Sequence, residues 1–233
     1  MKTRNGLVSN SSSSSFVVIF PKKPNSVDET FKYLFNSVDG SIKESYGDKS
    51  KTHQEISNIV FDDLKNKDIS TIEELTEELT TQISHSAYYA CESGRRNQVG
   101  FDCDGMMKCI DLFGSADYYH LIQEINKVDE EYYFANDNLV RKHNYKYGDT
   151  NLDFNRDIEA LQNWRVEKTK PLWDKKYEIL NNAGKVAAEK FIEEHKGWWY
   201  TVLSYADDSG SEGGFMEHSN IFRNIPHEVI SHH

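Results

Sequence analysis

Apolar positions along the chain gather at its two ends and recur at helical spacing between them. Phe16-Val17-Val18-Ile19-Phe20 is an uninterrupted apolar run, preceded by serines and stopped by Pro21 and Pro24. β-Branched and aromatic residues between such breakers predict a strand. Because the run is apolar on both faces, the strand belongs inside a sheet covered on both sides. Ser26-Val27-Asp28-Glu29 has the spacing of a capping box and opens a helix that carries Phe31, Leu34 and Phe35. After a Gly/Ser/Lys-rich linker, about 39–52, the positions Ile56, Ile59, Val60 and Leu64 predict a second helix. Ser70-Thr71-Ile72-Glu73 is another capping box, ahead of the stripe Ile72, Leu75, Leu79 and Ile83.

Residues 84–116 are the least regular. Gly94-Arg95-Arg96-Asn97 and Gly100 predict turns, with a short strand or two between Val99 and Phe113. Tyr118, Leu121, Ile122 and Ile125 restore helical spacing, and residues 129–151 either extend that helix or form a loop. From Asp153 to His195 two stripes follow, Ile158, Leu161 and Trp164/Arg165, then Tyr177, Leu180, Ala187/Ala188 and Phe191. Pro171 lies between them, so two consecutive helices and one kinked helix fit equally well. Trp198–Tyr205 is the strongest strand signal. Asp207–Gly214 is turn-rich, Phe215–Phe222 is the expected partner strand of a hairpin, and Glu228–His233 a short terminal strand. Elements of one kind must cover one another's apolar faces. The expected fold class is therefore α+β, with a small antiparallel sheet formed by the N-terminal strand and the C-terminal hairpin and packed against several helices. The expected organisation is a single domain, 1–233, with 84–150 as an irregular insertion.

Composition narrows the class without naming an activity. The chain has 27 Lys+Arg against 38 Asp+Glu, a net charge of −11, with 37% hydrophobic and 12% aromatic residues. Residues 1–25 are basic (Lys2, Arg4, Lys22 and Lys23), whereas 26–80 are the most acidic stretch. No basic patch on the scale of a duplex-binding surface is visible, so no strong duplex nucleic-acid signal exists. No apolar run approaches the ~18–20 residues of a membrane span. Lys2 and Arg4 lead into serines and not into an apolar segment, so no signal peptide is recognised and a cytoplasmic location is expected. In that compartment Cys91, Cys103 and Cys109 are expected to be reduced, and their spacing matches no zinc pattern. Asp102-Cys103-Asp104-Gly105 lacks the ligands that would complete a calcium loop and is expected to be a turn. Neither a metal nor another cofactor is expected. Trp198-Trp199 is expected to serve packing.

Two polar segments could carry chemistry. The serine-rich lead, with Arg4, Asn5, Ser9, Asn10, Ser11 and Ser12, enters the first strand. Its hydroxyls and backbone N–H groups, with the Arg4 charge, could receive an anion. It lacks the glycine and lysine spacing of a phosphate loop, and its composition alone favours a solvated tail. The second segment holds His218, His227, His232 and His233 beside Glu217. Imidazoles are common ligands and bases near neutral pH, although strand alternation sends His232 and His233 to opposite faces. If His218, His227 and His232 meet the serine-rich lead across the sheet, they form one polar pocket.

Arg4–Phe16, R-N-G-L-V-S-N-S-S-S-S-S-F, resembles the opening of a set of uncharacterised proteins found in tailed phages and in bacteria. There R-N/S-G-F-V-S-N-S-S-S-S-S-F stands at the extreme N-terminus, and Leu7 departs from that pattern. The closing residues are similar to some members as well: Tyr205-Ala206-Asp207, Glu217-His218, Ile221-Phe222, Pro226-His227 and Ile230-Ser231-His232-His233. The resemblance covers about a fifth of the chain, at its two ends. It implies a phage or phage-related origin and brings no activity, cofactor or catalytic residue. The expected function is that of a phage-related protein, cytosolic in its host, that binds and modulates a host macromolecule such as a defence or nucleic-acid-processing component. The alternative is an enzyme or sequestering protein acting on a phosphorylated small molecule or nucleotide through the serine-rich lead and the histidines. A host protein is the expected partner, and nothing in the sequence sets the oligomeric state.

Overall fold

The computed structural model describes residues 13–43, 49–89, 103–145, 151–206 and 211–231. Its elements in chain order are β1 (Ser13–Phe20), α1 (Val27–Phe35), β2 (Ser41–Lys43), β3 (Ser50–Thr52), α2 (His53–Leu64) and α3 (Ile72–Ala87). They continue with α4 (Cys103–Phe113), α5 (Asp117–Lys142), α6 (Leu152–Glu194), β4 (Trp199–Ala206), α7 (Ser211–His218) and β5 (His227–Ser231). The fold class is α+β, with the chain ends supplying the principal sheet. The chain divides into two compact units, residues 1–82 with 184–233, and residues 83–183. No helix among the described residues is long and apolar enough to cross a membrane.

In the first unit, β1 is the middle strand of an antiparallel sheet ordered β4-β1-β5. Phe16 sits opposite Leu203 on one side and Val229 on the other. Alternation sends Phe16, Val18 and Phe20 into a core with Leu34, Ile56, Val60, Phe215 and Phe222. It sends Val17 and Ile19 into a second core with Leu75, Leu79, Ala188 and Phe191. Val17, Val18 and Phe20 are completely buried, as an apolar run with both faces covered requires.

That position of β1 explains why Phe215–Phe222 is not the strand expected of it. β4 and β5 both run antiparallel to β1, so they are parallel to each other and separated by it. A tight hairpin joins only adjacent antiparallel strands, whereas this connection has to cross the sheet. It does so through α7 and a turn, which bury Phe215, Met216, Ile221 and Phe222 against one face. The C-terminal hairpin is thus replaced by two strands flanking β1.

Local capping follows side-chain chemistry, with one shift of register. Ser26 Oγ accepts from the Glu29 N–H at 3.2 Å, as the sequence predicts. Thr52 and Glu55 form a complete capping box at α2. At α3 the reciprocal pair is Thr71 with Glu74, at 3.2 and 3.0 Å, and not Ser70 with Glu73. Ser70 instead lines the edge of β4: its N–H donates to the Tyr200 carbonyl, and its Oγ accepts from the Val202 N–H.

The second unit is helical. Ala87, Cys109, Tyr118, Leu121, Ile122, Ile125 and Leu180 form its core. Residues 103–113 are helix α4 and not strand, so Cys103–Gly105 open a helix where a turn is expected. Val99 and Gly94–Asn97 lie outside the described residues. Cys109 is disulfide-bonded, against the expectation of reduced thiols. α5 runs on to Lys142, and α6 continues through Pro171 as one helix. α3 and α6 each contribute residues to both units.

Candidate functional site

Antiparallel pairing brings the start of β1, the end of β4 and the end of β5 to one end of the sheet, with Ser13 opposite Ala206 and Ser14 opposite Ser231. α7 approaches the same end. Ser14 Oγ donates to Glu217 Oε1 at 3.1 Å, and His218 Nε2 lies 3.8 Å from Glu217 Oε2. The Glu217 side chain is only 1% exposed, so the Ser14 hydroxyl is among the groups that compensate a buried carboxylate. On the other face of β1, Ser15 Oγ and Ser204 Oγ are 2.9 Å apart. Tyr205, the register partner of Ser14, donates from its hydroxyl to Asp63 Oδ2 at 2.9 Å. Burial pushes the Tyr205 phenol well above its ordinary range, and the Asp63 charge adds to this.

This end of the sheet therefore unites the last residues of the serine-rich lead with Glu217 and His218. His227 stands elsewhere. It pairs with Val18, four positions along β1 from Ser14, or about 13 Å at the rise of a strand. Its Nδ1 is 3.0 Å from the Ile225 carbonyl oxygen. Arg4, Asn5, Ser9, Asn10, Ser11, Ser12, His232 and His233 lie outside the described residues. No group of three or more His, Cys, Asp or Glu that could hold a metal occurs among the described residues.

The chemistry of the described cluster is that of a satisfied polar junction. Ser14 hydrogen-bonds directly to a carboxylate, with no imidazole between them, so the geometry is not that of a serine nucleophile activated by a histidine base. A fixed carboxylate next to the Ser14 hydroxyl also opposes an anion at that point. Tyr205 and Asp63 escape sequence reasoning because 142 positions separate them. Strand alternation alone places Ser14 on the face of Phe16, and that was the legible part.

A second feature belongs to the 83–183 unit. No residue from 126 to 142 of α5 is buried, nor any from 155 to 168 of α6. These outer segments are joined by polar and aromatic pairs. Arg165 Nε donates to Asp129 Oδ1 at 2.7 Å, and its guanidinium lies over the Tyr132 ring. Asp157 Oδ2 receives Lys142 Nζ at 3.2 Å and lies 3.0 Å from His143 Nε2. The contacts with His143 and Lys142 hold the Asp157 carboxyl below its usual range. Tyr145 stacks on Phe154 at 4.0 Å. Tyr133 and Phe134 nevertheless remain 61% and 73% exposed. Comparison with family models, with curated proteins and with solved structures found no match.

Proposed function

We propose that the chain is a phage-related, non-enzymatic binding protein that modulates a host macromolecule, and that the outer part of α5 and α6 is its contact surface. The observation that carries this reading is the exposure of the consecutive aromatic residues Tyr133 and Phe134 on a stretch of α5 with no buried residue. Aromatic side chains supply much of the energy of protein interfaces, and two packed helices lack the depth to bury them unaided. The proposed partner is a host protein.

Phosphorylated-ligand chemistry at the serine-rich lead has weaker support. The Ser14 hydroxyl donates to Glu217, and the fixed charge beside it is negative. The test is affinity capture from host lysate, with the retained protein identified by mass spectrometry and its Kd measured with purified components. Tyr133→Ser/Phe134→Ser is expected to weaken that Kd more than ten-fold, about 1.4 kcal/mol, while His218→Ala leaves it within two-fold. Equal affinity of the double variant and the parent rejects the assigned surface.

A further inference from the structure

At the end of the sheet opposite Ser14, four separate stretches of the first unit enclose a groove of about 390 Å³. Ile19, Pro21, Ile225 and Pro226 give it apolar lining. Tyr33 and Trp198 add aromatic side chains to the lining, and Lys32, Asn36, Ser37 and Asn224 polar ones. The volume falls in the ~300–1,000 Å³ range of small-molecule sites. Trp198 is 41% exposed, against the packing role expected from its sequence position.

The unused hydrogen-bonding groups here are mostly donors. Lys32 is exposed and makes no ion pair among the described residues. The Trp198 indole N–H and the Asn36 side-chain amide have no hydrogen-bond partner among those residues either. Asn36 and Ser37 are consecutive non-glycine residues in the left-handed region, at φ 52° and 61°. Such conformations are costly and concentrate at functional sites. They turn the chain sharply after α1 and leave the Ser37 N–H without a backbone partner among the described residues.

α1 ends at this groove with a partial negative charge of roughly half a unit. Three of its terminal carbonyls are already occupied, Lys32 O by the Asn36 N–H, Leu34 O by Asn224 Nδ2 and Phe35 O by the Val38 N–H. Among the lining residues Lys32 is the one that carries a full charge. Aromatic and apolar lining beside a lysine and several donors matches a ligand with a planar body and one anionic group.

We propose that this groove binds a planar ring carrying one phosphate or carboxylate, with the ring against Trp198 and the anionic group at Lys32 and the Ser37 N–H. The site lies in a different unit from the surface assigned to the host protein and does not rest on that reading.

Isothermal titration of the full chain with four probes tests it: a nucleoside 5′-monophosphate, the parent nucleoside, ribose 5-phosphate and an aromatic carboxylate. The monophosphate or the aromatic carboxylate is expected to bind with Kd below ~1 mM, and the tighter of the two identifies the anion. Removing the ring or the charge should each weaken binding at least five-fold. Trp198→Ala and Lys32→Glu should do the same, while Trp198→Phe retains binding and His218→Ala leaves it unchanged. Circular dichroism checks that each variant is folded. No binding by either anionic ring, or less than a five-fold loss in Trp198→Ala or Lys32→Glu, overturns the proposal.

Discussion

Gly184 shows how closely α3 and α6 approach within the first unit. A Cβ at that position would overlap Thr80 Oγ1, and would lie 2.9 Å from Thr80 Cβ and 3.0 Å from the Thr76 carbonyl oxygen. Glycine in a helix interior costs about 1 kcal/mol relative to alanine. Here the Thr80 side chain, with the Thr76 carbonyl behind it, leaves no room for a methyl group. Gly184→Ala is expected to lower unfolding stability by about 1–3 kcal/mol, since overpacking outweighs the gain in propensity. Adding Thr80→Ala should recover at least half of that loss in denaturant titrations, and a stabilised single variant would contradict the close approach. The sequence carries no sign of this constraint: Gly184 sits in Asn-Asn-Ala-Gly-Lys, where it reads only as a weak point in a helix.

At the scale of elements, α6 is 43 residues long with Pro171 inside it. Proline removes one backbone donor and crowds the preceding turn, a penalty of about 3 kcal/mol in a helix interior. The helix continues because contacts on both sides hold it. Before the proline Arg165 pairs with Asp129; after it Lys176 lies over Trp173 and Tyr118, and Leu180 joins the helical core. Pro171→Ala is expected to raise stability by about 2 kcal/mol, after allowing for the freer unfolded chain. The measurement is the unfolding midpoint, and an unchanged or lower value would mean that the proline fits a local bend. Periodicity alone left one kinked helix and two helices equally consistent, because packing decides whether a helix survives a proline. The α7 region departs from the expected strand for a related reason. Phe215, Met216, Ile221 and Phe222 are apolar in any conformation, and the need to cross β1 rules out the tight hairpin that their spacing suggests.

At the scale of the molecule, the charge of −11 hides an uneven distribution, and the most acidic stretch, 26–80, contains Asp63, the acceptor for Tyr205. Burial and that charge raise the phenol's pKa in the folded state above its unfolded value near 10. The unfolded chain therefore releases this proton first as pH rises. The resulting stabilisation is fully present below pH ~10 and is lost as pH rises above that value toward the folded pKa. Thermal unfolding followed from pH 8 to 11.5 should show a steep loss above pH 10. Tyr205→Phe should be less stable at pH 8 and lose less between pH 10 and 11.5. Parallel pH curves for the two proteins would remove Tyr205 as the source.

Local spacing specifies the both-face-apolar strand β1, the β4 strand, the amphipathic helices α1 to α3, and the α+β class. Each is written in the spacing of adjacent residues, where strand and helix periods differ. Tertiary structure alone decided that β1 is central, that the connection from β4 to β5 crosses it, and that His227 stands away from Ser14. It also drew Ile19, Lys32, Trp198 and Asn224 around one groove. Those outcomes join residues as many as about 200 positions apart, and local periodicity carries no record of which distant segments close upon one another.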